Sequence, residues 1–232
     1  MIRSIATHTV TFVAACVLAI TVVGCTPAPQ RITEATAITK LAVMPLIHAD
    51  NSARQGKEVQ QLLDCQLSSM CNFDQTPLSH AEQVMTTQLS EHLADYFGDA
   101  IMPQAVVNQH FVTMKPGKEE TAREMGIRLA RELGADHVMI GLIWRFQQRN
   151  GDSVSSNSPA SVAFNLYLLE VASGKLLWQG QADRTQEALS DNLFNASMLF
   201  HYGMKWLTAE ELSDYCIQKA LTTLPTALSQ PD

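Results

Sequence analysis

The 232-residue sequence predicts an α/β fold: a mixed sheet with helices packed on one face, plus a C-terminal helical extension. Three observations lead there. Ile38 to Ile47, "ITKLAVMPLI", is β-branched and apolar enough for a first strand. Helix-like and strand-like segments then follow in the order β-α-β-α-α-β. Residues 136–184 finally form an antiparallel meander of extended segments.

The elements follow in order. Pro45 sits near the exit of the first strand. Residues 48–78 lack a sustained period and read as a long loop with one short helix near 57–64. Ser79 to Phe97 is a helix: Ser79 and Glu82 form a capping box, one face carries Ala81, Met85, Leu89 and Leu93, and Gly98 ends it. A short strand at 100–103 and a small helix at 104–111 come next. Lys118 to Leu133 is a second helix, stopped by Gly134.

The meander has three strands, 136–147, 161–171 and 175–184, with "NGDSVSSNSP" as a polar loop before the second and Ser173-Gly174 as the turn into the third. The second alternates, placing Val162, Phe164, Leu166 and Leu168 on one face. That alternation leaves one sheet face partly solvated or covered by C-terminal helices. Two helices close the chain, near 190–201 and 208–223. The last has a capping box at Thr208 and Glu211, a stripe of Leu212, Cys216 and Ala220, and Pro225 as its stop.

The first residues carry one charge, Arg3, and then an apolar run from Val10 to Val23. As a helix that run reaches about 21 Å, short of the roughly 30 Å hydrocarbon core of a bilayer. It suits the apolar region of a secretory signal. Its end, Val22-Val23-Gly24-Cys25, resembles the lipobox of bacterial lipoproteins. The resemblance implies cleavage after Gly24 and acylation of Cys25, with palmitate-type chains that anchor the mature protein without any spanning segment. Thr26 is not the aspartate that retains such proteins in the inner membrane, which implies the periplasmic face of the outer membrane. The organisation is thus a signal peptide (1–24), a lipidated Cys and linker (25–37), an α/β domain (38–186) and a helical extension (187–232). As a coil, the linker holds the domain on the order of 20 Å from its membrane.

The net charge is −7, and loss of Arg3 with the leader makes it −8. No basic cluster exists, so nucleic acid is excluded as an expected partner. Five cysteines include Cys16 in the leader and Cys25. Export places Cys65 and Cys71 in an oxidising compartment, where they form a disulfide, stay as free thiols or pair otherwise with Cys216. Cys216, on an apolar helical face, reads as a small core residue.

"KLAVMPL", a long helix ending "LADYFGD", and "GADHVMIGLIWRF" leading into "LYLLEVASGKLLWQGQ" resemble the TolB amino-terminal-domain-like fold of the CsgG/LpoB-like superfamily. Gly134 to Gly141 carries the most specific part of that match. Residues 159–193 and 205–225 further resemble a group of uncharacterised Gram-negative lipoproteins. The resemblance implies a periplasmic cell-envelope component. Two departures matter: the chain has no long amphipathic hairpins to build a secretion barrel, and its tether is too short to cross the peptidoglycan as the synthase activators do.

No Gly-rich phosphate loop, nucleophile elbow or paired zinc-histidine helix is present, so no cofactor, metal or catalytic set is expected. His48 with Asp50 lies past the first strand and reads as a solvated loop. His137 opens the central strand and reads as a polar cap on the sheet edge. Asp183 and Arg184 end the last strand on a rim: either a partner contact or the polar exit of a strand. Trp206, with Phe194, Phe200 and Tyr202, either packs the terminal helices or offers a recognition surface. Asp183, Arg184 and Trp206 are the candidate partner surface. The expected function is a non-catalytic partner-binding or assembly factor, including self-assembly. The alternative is a small-ligand or wall-fragment binding lipoprotein, using a cleft between sheet and C-terminal helices.

Overall fold

The computed structural model describes residues 37–50, 57–70, 78–153, 156–187, 205–225 and 228. The chain falls into two units, Met1–Ala35 and Thr36–Asp232, and every described residue belongs to the second. The leader, Cys25, Cys71 and the expected helix near 190–201 lie outside the described residues.

The expected mixed α/β sheet is what the chain forms. The first strand is two short pieces, β1 (Leu41–Val43) and β2 (Ile47–His48). Both pair in parallel with the long β3 (His137–Gln147). β6 (Ser161–Glu170) then pairs antiparallel with β3, and β7 (Leu176–Thr185) antiparallel with β6. The order across the sheet is β1/β2, β3, β6, β7. The polar loop before β6 carries a small separate ribbon, β4 (Asn150–Gly151) with β5 (Ser156–Ser158). The first strand breaks because the ladder slips from Val43↔Met139 to Ile47↔Leu142: the edge side spends one residue more than β3 and bends at Met44-Pro45-Leu46. The strand expected at 100–103 is a 3₁₀ turn (Gly98–Ala100) followed by one parallel bridge, Ile101 to Leu41.

Six helices are described: α1 (Val59–Leu63), α2 (Leu67–Met70), α3 (His80–Phe97), α4 (Gln104–Phe111), α5 (Ala122–Glu132) and α6 (Ala209–Leu221). The capping boxes expected at Ser79/Glu82 and Thr208/Glu211 open α3 and α6. A third, Thr121/Glu124, moves the start of α5 from 118 to 122, because Thr121 supplies the side-chain acceptor for an otherwise unpaired N–H.

Helices occupy both faces of the sheet. α3 and α6 share a core with Met139, Phe164, Leu166, Leu168 and Trp178. The other face packs α1, α2, α4 and α5 on Val138, Ile140, Leu142, Ala163 and Tyr167. Period 2 along each strand sends alternate side chains to the two cores. Gly126 and Gly141 allow the closest layer contacts: an added Cβ would lie 2.4 Å from Ile140 Cδ1 and 2.4 Å from Leu46 Cγ, respectively. Among the described residues no helix is long and apolar enough to cross a membrane.

Candidate functional site

The sheet ends at β7, and the ladder dictates what its outer edge offers. Gln186 N–H donates to Ala160 O at 3.0 Å, so Gln186 bonds inward. Antiparallel residues alternate between inward and outward bonding. Arg184, Ala182 and Gly180 therefore also bond β6, while Asp183, Gln181 and Gln179 turn their N–H and C=O groups outward. Among the described residues β7 has no second sheet neighbour.

Alongside this edge lies a cleft of about 650 Å³ between β7 and α6. Its sheet wall is residues 179–184, six in a row, so the cleft follows the strand's backbone edge and not one of its faces. Its other wall is Tyr215, Cys216, Lys219 and Ala220, the i, i+1, i+4, i+5 stripe of α6, with Thr222 and Thr223 just past the helix end. The small side chains Gly180 and Ala182 keep the sheet side shallow. Gly180 is required: a Cβ there would meet the Trp178 ring at 2.5 Å. The Trp178 ring lies along the strand beneath Ala220 and its Nε1–H donates to Thr223 Oγ1 at 3.1 Å, fixing the helix against the sheet.

α6 is held along α3 by polar pairs. His80 Nε2 lies 2.9 Å from Glu210 Oε1, and His92 Nε2 lies 2.8 Å from Asp214 Oδ1. Ser213 Oγ–H donates to Gln88 Oε1 at 2.8 Å. Burial alone would raise the Glu210 carboxyl, but hydrogen bonds from Gln148 and His80 overcome it and hold it at about 2. Cys216 is pushed up to about 12 by burial, which the nearby Arg184 guanidinium only partly opposes. It is a neutral thiol and a poor nucleophile, the small core residue its helical position predicts.

The remaining candidates scatter. Asp183 and Arg184 stand on the rim of the cleft, Asp183 accepting from Arg145 Nη2 at 2.6 Å. Trp206 is not part of the cleft lining: its N–H donates to Ser153 O at 2.8 Å and its carbonyl accepts from Arg149, which ties the entry of α6 to the β4–β5 ribbon. Cys65 follows α1, its thiol donating to Gln61 O at 3.3 Å and accepting from Lys57 Nζ. His48 is exposed, with its backbone N–H on Glu82. His137 is not a cap on the sheet edge: β3 is central, the side chain is fully buried, and Nδ1 sits 2.7 Å from Asp136 Oδ1. Lys219 was not singled out by the sequence reading, because nothing in the α6 pattern shows which strand its flank will meet. Among the described residues no group of three or more His, Cys, Asp or Glu side chains is placed to hold a metal.

No family model matches the sequence, and no curated protein does. Among solved structures the chain is similar to the PelC dodecamer subunit of Paraburkholderia phytofirmans (14% identity, 85% of this chain and 93% of that one, TM-score 0.44). It is also similar to lipoprotein GNA1162 from Neisseria meningitidis (17%, 70% and 93%, TM-score 0.42) and to the LpoB C-terminal domain from Escherichia coli (18%, 66% and 86%, TM-score 0.36). One lipoprotein and one LpoB domain are thus among the structures it is similar to.

Proposed function

We propose that the chain is a non-catalytic lipoprotein of the Gram-negative envelope that works by binding another protein. In this reading residues 1–24 direct export, Cys25 is acylated, and the linker to residue 37 holds the domain on the periplasmic face of the outer membrane. The observation that supports the binding role is the outward-facing edge of β7, which among the described residues has no further strand on it, beside a helix-walled cleft. Outer strands are normally blunted by proline, bulges or a covering element, and β7 from Trp178 to Thr185 has neither proline nor bulge. A Cys65–Cys71 disulfide remains part of the proposal, read from the unreduced and reduced masses of the chain.

Two measurements test the reading. Intact mass of the purified protein is expected to show a chain beginning at an acylated Cys25; an unmodified cysteine, or a chain that starts at Met1, overturns the anchor. A photo-crosslinking residue at Gln181 is expected to yield discrete protein adducts in intact envelopes. Adducts only from the opposite face, at positions such as Val106 and Val112, overturn the surface.

The small-ligand reading is favoured by one observation, the cleft volume, which falls in the range of small-molecule sites. Its lining has no tryptophan and includes Gln179, Gln181, Asp183, Arg184 and Lys219, which suits a polar chain better than an apolar ligand.

A further inference from the structure

We draw no further inference here: the strongest candidate, the seam along which α3 meets α6 through His80 with Glu210 and His92 with Asp214, is accounted for by the packing of the two helices, and nothing among the described residues ties it to a ligand or to a change of state.

Discussion

β6 and β7 are neighbours of equal length, ten residues each, joined by one ladder, and they meet opposite fates. Nine of the ten residues of β6 are buried, whereas β7 buries two, Trp178 and Gly180. The sequences differ in keeping: "SVAFNLYLLE" against "LLWQGQADRT". β6 has β3 on one side, β7 on the other and helices above and below. β7 has α6 over one face and water on much of the rest. The contrast separates residues that hold the fold from residues left to do something else. Gln179, Gln181, Asp183 and Arg184 are exposed and contribute little to packing.

That contrast can be attacked at four places. The largest effect belongs to β6: Phe164→Ala, at a side chain 1% exposed in the α3/α6 core, is expected to cost about 3–5 kcal/mol in chemical denaturation. Next is a polar pair hidden between β6 and its neighbour β3. Trp144 Nε1–H donates to Asn165 Oδ1 at 2.5 Å, and both side chains are buried. Asn165→Ala strands that donor and is expected to cost about 1–3 kcal/mol, with a shift in tryptophan fluorescence.

Glu210→Gln probes the helix that walls the cleft. Because the folded carboxyl sits at about 2, below its usual 4.5, its stabilising contribution is present above pH 4.5 and is lost as pH falls toward 2. The variant is expected to be less stable than the wild type by about 1–2 kcal/mol at pH 7, after allowing for solvent screening of a partly exposed group. The gap should close by pH 2; a pH-independent gap would mean that packing, not charge, explains the loss. The smallest effect is on β7 itself: Asp183→Asn, in an exposed pair with Arg145, is expected to change stability by less than about 1 kcal/mol. A large loss there would erase the distinction between the two strands.

The sequence made these strands readable to different degrees. Helix starts were legible at Ser79 and Thr208, because a capping box is a local pattern that brings its own hydrogen-bond partners. The missed box at Thr121 was equally local, so the start of α5 was recoverable. The break between β1 and β2 was only partly so: Pro45 marks where the ladder is interrupted, but the buried apolar residues around it carry no sign that pairing resumes at Ile47. The placement of helices on both faces was hidden for a similar reason, since a strand buried on both sides shows only that it is covered. Asp183 and Arg184 were visible as a charged rim, but their opposite wall was not. The pairs that place it, His80 with Glu210 and His92 with Asp214, join residues more than a hundred positions apart, and nothing in either neighbourhood announces its mate.

One buried side chain ties the exit of β7 to the approach of α6. Gln186 is buried; its Nε2 donates to Lys205 O at 2.9 Å and its Oε1 accepts from Leu207 N–H at 2.7 Å. This amide staples the departure of the intervening stretch to its return. The two walls of the cleft are thus tied at one end by a single buried amide.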